Sequence, residues 1–316
     1  MSLTRTTTGG PPHAGSGRRP LARPQGPRMP GWFWGALLLS PAFLLVLGVI
    51  AAPIAYLVRL SFTDAHAYLP RFGSVGFDNY AALLRAPHFW DSVRTTVWYA
   101  GLTVGLQLVL GVLIALLLHQ KFHGRGVVRL VALAPYMVPS IVVALVWRWL
   151  LDPTTGAYSW FIDKVWPGSQ PPNLLSPNLI FWSLIAVSVW MFTPFIVISV
   201  LARLQTIDPS TVEAATVDGA GAWRRFWNIV LPELKPVLYT LILLRFMFMF
   251  TKFDVVYLFA GTGTEVRTLP VLTFQRIFGE ARLGSGAAVA MILFVLLMIF
   301  TTVYLRTLYR QREETA

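Results

Sequence analysis

The residues able to do chemistry are few, and the informative ones interrupt apolar runs. Arg245, Lys252 and Asp254 lie in the stretch 237–258, which is otherwise built mainly from Leu, Ile, Phe, Met and Val. Arg245, Met249 and Lys252 follow i, i+4, i+7 spacing, so on a helix they share a face, with Phe248 beside it. A cation near the centre of a bilayer costs about 3 kcal/mol even on the lenient insertion scale, so that face should turn into a bundle or a wet cavity. Tyr136 and Ser140 stand four residues apart, again one helical face, in a stretch broken by Pro135 and Pro139. Backbone carbonyls freed by proline are tolerated at membrane depth where they line a polar cavity. This set supports non-covalent recognition through hydrogen bonds and charge.

Other chemistries are poorly supplied. The sequence has no cysteine, which excludes disulfides, thiolate metal sites and thiol nucleophiles. His119 and His123 have i, i+4 spacing but sit in a basic loop without a carboxylate, so no metal site is expected. A P-loop needs Gly-Lys before Ser or Thr, and none of Lys121, Lys164, Lys235 and Lys252 follows a glycine. No nucleophile with a neighbouring base occurs in the apolar stretches, which counts against an intramembrane enzyme.

The elements that must position these residues follow from composition. Of 316 residues only 13% are charged and 55% are hydrophobic, with a mean hydropathy of +0.61. That is the composition of an all-α polytopic membrane protein. Stretches of roughly 20 apolar residues predict six transmembrane helices at about 32–58, 95–118, 130–151, 179–202, 237–258 and 283–305. Residues 1–31, basic and rich in Pro and Gly, read as a disordered tail; 32–310 as the six-helix transmembrane domain, with a loop at 207–236; and 311–316 as a second tail.

With both termini cytoplasmic, Arg5, Arg18, Arg19, Arg23, Arg28, Lys121, Arg125, Arg129, Arg203, Arg224, Arg225, Lys235, Arg306, Arg310 and Arg312 fall inside. Arg71, Arg85, Lys164, Arg267, Arg276 and Arg282 fall outside. Fifteen against six sets this orientation. The net charge of +12 is thus divided among short loops, and nucleic acid is not an expected partner.

The loop after the fourth span runs from Asp208 to Pro232. Asp208-Pro209 reads as an N-cap with proline at the first helical position, and Ser210 with Glu213 as a capping box one frame later. Gly219 and Gly221 permit a sharp turn, and Pro232 and Pro236 are expected to end a second short helix. Val212, Ala215, Val217, Phe226, Ile229 and Leu231 make the loop too apolar for a linker, so a partner protein is implied.

Glu213-Ala214-Ala215, Asp218-Gly219 and Ile229-x-Leu231-Pro232 resemble the EAA coupling motif of inner-membrane subunits of binding-protein-dependent ABC importers. The resemblance extends to Ser61-Phe62-Thr63-Asp64, Phe77-Asp78-Asn79-Tyr80, Pro135 to Ser140, and Leu283-Gly284 to Ala290. It points to the sugar-transporting, MalF-like branch in its short six-helix form, with a type I ABC importer (MetI/MalF-like) permease fold in the bacterial inner membrane.

What the resemblance implies is substantial. A second homologous permease, two cytoplasmic ATPase subunits carrying the ATP and Mg, and an extracytoplasmic solute-binding protein would be partners. This chain would hold no cofactor and catalyse no reaction. The loop would couple it to an ATPase, and alternating access would move an oligosaccharide or disaccharide. The transport pocket would take Tyr136 and Ser140, then Ser188, Met191 and Phe192, then Arg245, Phe248, Met249 and Lys252. Aromatic faces with a few polar groups suit a sugar ring. The basic pair departs from the amides of the maltose branch and leaves a glycerol 3-phosphate permease as an alternative. An ion-coupled carrier using Arg245, Lys252 and Asp254 as a relay is a further reading, as is a purely structural ion pair with the partner permease.

Overall fold

The computed structural model describes residue 10 and residues 31–69, 72–169, 171–261 and 266–313. The five tail arginines, Arg71 and residues 314–316 therefore lie outside the described residues, and 311–313 continue the last helix. The chain divides into two compact units, Met1–Pro53 and Ile54–Ala316. Helix α1 (Gly31–Ser61) begins in the first unit, where large apolar side chains between Leu37 and Ile50 are exposed. Such a surface calls for lipid or another apolar helix rather than water.

The second unit holds α2 (Asp78–Arg85), α3 (Pro87–His119), α4 (Arg125–Met137), α5 (Ser140–Leu150), α6 (Ala157–Val165), α7 (Ile180–Leu204) and α8 (Pro209–Val217). It continues with α9 (Ala222–Arg225), α10 (Leu231–Phe250), α11 (Asp254–Ala260), α12 (Leu269–Phe274) and α13 (Leu283–Glu313), and π-helical turns occupy Phe226–Val230 and Gln275–Gly279. Among the described residues four helices, α1, α3, α7 and α13, are long and apolar enough to cross a membrane. Helices α4 and α5 make a fifth if that bent pair is one span. The expected span 237–258 does not pass as a plain apolar helix. Glu233, Lys235 and Arg245 charge α10, which stops at Phe250 before α11 resumes at Asp254.

Helix α7 is the centre of the unit, buried on most sides, and α3 lies along it. The approach is close because Gly111 has no side chain: a Cβ there would stand 2.5 Å from Ile196 Cγ2. Helices in membranes gain from such small-residue seams, since packing replaces the missing hydrophobic drive. The face that α3 buries carries Ser92, Thr96, Tyr99, Thr103 and Gln107, a polar row inside an apolar helix.

Three sequence motifs meet in one corner. Asn79 Nδ2 donates to the carbonyls of Ser61 and Thr63 at 3.0 and 2.8 Å, satisfying acceptors at the end of α1. The Tyr80 hydroxyl is 2.6 Å from Ser61 Oγ, and the rings of Phe62 and Phe77 meet edge-on. Gly284 closes the corner, since a Cβ there would fall 1.9 Å from the Thr63 carbonyl oxygen.

The prolines of the third expected span break it more sharply than the sequence suggests. Helices α4 and α5 meet at 99°. Val138, ahead of Pro139, is extended at φ −84° and ψ 132°, because the proline ring disfavours helical backbone in the preceding residue. Tyr136 thus ends up in the last turn of α4 and Ser140 at the start of α5, so the expectation that they share one helix face is wrong.

The Gly111 seam gives a test of opposite signs. Gly111→Ala should lower the thermal stability of the solubilised protein by roughly 1–3 kcal/mol, the usual cost of overpacking. Gly105→Ala on the same helix, where a Cβ meets nothing within 4 Å, should leave stability unchanged or raise it by up to about 1 kcal/mol. Equal effects at the two positions would contradict the close seam.

Candidate functional site

The α3, α7 and α10 helices enclose a buried polar cluster. Arg245 is only 4% exposed, and its Nε donates to Gln107 Oε1 at 3.0 Å. The guanidinium lies 4.9 Å from the Phe192 ring centroid and 5.7 Å from that of Phe195. Gln107 is fixed in turn by donating to the Ser188 carbonyl at 3.3 Å, with Met249 Sδ at 4.0 Å. Tyr99 OH and Ser188 Oγ are 2.9 Å apart. A cation at membrane depth costs about 3 kcal/mol on the lenient scale. One charge-assisted hydrogen bond and two cation–π contacts, each about 1–2 kcal/mol, are enough to offset that. They do not neutralise the charge.

A second group borders this cluster. Lys252 Nζ stands 3.0 Å from Asp254 Oδ1 and 5.0 Å from the Phe192 centroid. Ser140 Oγ donates to Asp254 Oδ2, so the start of α5 is tied to the start of α11. The expected single face of Arg245, Met249 and Lys252 is half right. Arg245 and Met249 are buried on α10, but the helix ends at Phe250 and Lys252 lies in the break beyond it. Both cations nevertheless reach the Phe192 ring.

The structure thus gathers Ser140, Ser188, Phe192, Arg245, Met249 and Lys252. Tyr136, half-exposed, approaches through Phe195, with ring centroids 6.0 Å apart. Met191 is buried in the same apolar core, whereas Phe248 is 57% exposed on α10. Tyr99, Thr103, Gln107 and Phe195 were missed. The signal was present as Tyr99, Thr103 and Gln107 at i, i+4, i+8, a polar stripe in a span otherwise judged by its hydropathy.

Two cavities elsewhere have other chemistry. A groove of about 570 Å³ beside α3, α4 and α7 is apolar, walled by residues such as Leu110, Val131, Trp182 and Trp190. Another, of about 630 Å³, lies between α2, the start of α3 and the loops around Asp64 and Arg282, and includes Asp64, His66, Asn79, His88, Arg276 and Arg282. Neither includes Arg245 or Gln107.

The loop between α7 and α10 is built as a unit. Asp208 caps α8 by accepting from Ser210 N–H at 2.9 Å, which places Ser210 inside the first turn. The expected Ser210–Glu213 capping box is therefore displaced by a cap two residues earlier. At the other end Gly219, at φ +78°, carries a Schellman closure, with Gly219 N donating to Thr216 O and Ala220 N to Ala215 O. Arg225 Nη1 reaches back to Thr216 Oγ1 and the Ala220 carbonyl at 3.0 and 2.9 Å.

The second helix of the loop does not stop at Pro232. It passes from α9 through the π-helical turn directly into α10. Pro232 has no N–H to continue the ordinary ladder, and the wider turn, in which Leu231 N donates to Phe226 O, accommodates that loss. Arg203 ties the end of α7 to the start of α10 by an ion pair with Glu233 at 2.5 Å and by donating to its carbonyl at 2.9 Å.

Of the loop residues singled out, Glu213, Ala214, Asp218, Gly219 and Pro232 are exposed, and Ala215, Ile229 and Leu231 are partly covered. The apolar surface left open is Val217, 88% exposed, together with Trp223 and Trp227, whose rings meet edge-on at 5.5 Å. The i, i+4 spacing of the two tryptophans is the signal in the sequence that marks this surface.

A family profile described as "Binding-protein-dependent transport system inner membrane component" matches residues 107–314. The trehalose/maltose transport system permease protein MalF of Thermococcus litoralis is 34% identical over 275 residues, 86% of this chain and 92% of its own length. The sulfoquinovosyl glycerol transport system permease protein SmoG of Agrobacterium fabrum is 35% identical over 275 residues, 85% of this chain and 88% of its own. A chain in the crystal structure of a bacterial ABC transporter involved in the import of the acidic polysaccharide alginate superposes with a TM-score of 0.76 at 21% identity, covering 88% of this chain and 96% of that one.

The Asp208 cap has a definite pH dependence. The Ser210 backbone N–H and then its hydroxyl hold the carboxyl below the usual carboxylate range. A depressed carboxylate stabilises the fold above its unfolded value of about 3.9 and loses that contribution as pH falls through the folded value. Hydrogen-exchange protection of α8, corrected for intrinsic rates, should therefore be flat from about pH 8 to 5 and fall only below about pH 4. Asp208→Asn should keep the cap without the acid loss, and Asp208→Ala should expose α8 at every pH. Loss of protection between pH 6 and 8 in the unmodified chain would contradict the assignment.

Proposed function

Since the chain belongs to the family of binding-protein-dependent transport system inner membrane components, we propose that it lines part of the translocation path of an ATP-driven carbohydrate importer. The observation that carries this reading is the occurrence, in one chain, of a buried polar cluster walled by Phe192 and Phe195 and of an exposed apolar docking loop that runs without a break into the helix bearing Arg245. Aromatic faces take the CH faces of a sugar, and Gln107, Tyr99 and Ser188 offer hydrogen bonds to hydroxyls. The names of two relatives, which carry trehalose or maltose and sulfoquinovosyl glycerol, support a glycoside of disaccharide size.

On this reading α10 with α11 serves as a sixth, interrupted span, and both termini face the cytoplasm, as the distribution of basic residues favours. A second permease completes the path, and a cytoplasmic ATPase receives Val217, Trp223 and Trp227 of the loop. ATP and Mg belong to that subunit. An extracytoplasmic binding protein delivers the sugar. Alternating access follows from rocking of the bundle around the cluster. An ion-coupled relay is less well supported, because Lys252 and Asp254 pair with each other and an autonomous carrier needs no docking loop.

The test is reconstitution in vesicles. The chain with a second permease, the ATPase and a binding protein should accumulate a labelled disaccharide only with internal ATP, and Trp223→Glu should reduce uptake by at least about tenfold without preventing membrane insertion. Accumulation by the chain alone, or full uptake by the Trp223→Glu complex, would contradict the proposal.

A further inference from the structure

Charge in the buried cluster does not balance. Lys252 is paired with Asp254 at 3.0 Å, and Asp254 is also engaged by Ser140. Arg245 forms no ion pair among the described residues, and its Nη2, buried, has no hydrogen-bond partner. Thr103 Oγ1, on the α3 face that also carries Gln107, is likewise buried and unpartnered. Two cations against one carboxylate leave one net positive charge at a place where water is scarce and an orphaned donor is expensive. The aromatic rings soften that charge but cannot cancel it, and Gln107 is a neutral acceptor.

From this we infer that the cluster is a site for a monoanionic sugar, a glycoside bearing one carboxylate or sulfonate, whose anionic group docks on the free edge of the Arg245 guanidinium. The assignment rests on the carbohydrate reading and narrows it. A planar guanidinium held at Nε by Gln107 still presents terminal N–H groups in the fork that oxyanions accept. The sugar ring then stacks on Phe192 or Phe195, and the unpartnered Thr103 hydroxyl, on the α3 face that carries Gln107, is free to take a sugar hydroxyl. One negative charge completes neutrality. A phosphate monoester, at about −1.5 to −2, would leave an excess of negative charge in the same confined space, which disfavours a glycerol 3-phosphate cargo. Lys252, compensated by Asp254, contributes position and reach instead of the deciding charge.

The experiment isolates the permease site from the binding protein. Assembled transporter in lipid nanodiscs, without the binding protein, is titrated calorimetrically with a glucuronic-acid-capped disaccharide, with its neutral methyl ester and with sulfoquinovosyl glycerol. The acid should bind at least about tenfold more tightly than the ester, a ratio that one charge-assisted contact supplies. The sulfonate arm tells which oxyanion is preferred. In Arg245→Gln the ratio should collapse to near one, and Arg245→Lys should retain part of it. Acid and ester binding alike to the unmodified complex would overturn the inference, whatever the variants do. So would an acidic side chain of the second permease found paired with Arg245 in the assembled complex. Failure of the carbohydrate reading is a separate result, in which no glycan, charged or neutral, is driven inward by ATP.

Discussion

A guanidinium enclosed by apolar helices must be satisfied from within, because hydrocarbon offers it no partner and water is excluded. Arg245 imposes that constraint here. Its Nε fixes Gln107, Gln107 fixes the Ser188 carbonyl, and Ser188 meets Tyr99, so one charge sets the mutual position of α3, α7 and α10. The close seam at Gly111 and Ile196 lies one helical turn further along α3 from Gln107. Close packing there brings Gln107 within reach of both other helices.

The same helix that carries Arg245 begins at the loop. From Ala222 through the π-helical turn to Phe250 the chain is continuously helical, about 43 Å at 1.5 Å per residue. On the proposed reading a push on Trp223 or on α8 has a stiff path to the cluster. Arg203 and Glu233 clamp the start of that path to the end of α7, so the loop acts on two of the three helices that hold the site. At the far end Asp254 links the α10–α11 break to the bent α4–α5 pair through Ser140. Those two interruptions are places in the bundle where backbone geometry can change at small cost, since neither break has a complete helical ladder.

Much of this was legible in the sequence, and the misses have physical causes. Hydropathy located α1, α3, α7 and α13, and Asp208-Pro209 and Gly219 announced the start and stop of α8. Arg245 was conspicuous as a cation in an apolar run. Gln107 and Tyr99 were not, because a neutral polar side chain barely lowers mean hydropathy, and the stripe they form shows only when spacing is examined. The Tyr136–Ser140 face failed because i, i+4 geometry holds only inside an unbroken helix, and Pro139 forces Val138 out of one. Pro232 misled in the opposite direction: a proline near the start of a helix is compatible with continuation once a π-helical turn absorbs the missing donor. The ion pair between Lys252 and Asp254 needed the helix end at Phe250, a boundary that composition does not mark.

The central claim is that the cluster between α3, α7 and α10 lies on the path of the cargo. The absence of cysteine makes the most direct measurement simple, since a single introduced thiol reports without background. Gln107→Cys and Lys252→Cys, each in the complete transporter, are exposed to a membrane-impermeant thiol reagent in the resting state and again with the ATPase trapped by vanadate. The account predicts that both thiols react in one state and are protected in the other, and that saturating cargo slows the reaction. Thiols that remain unreactive in both states, with an assembled and transporting complex, would show that the cluster is sealed packing and contradict the account.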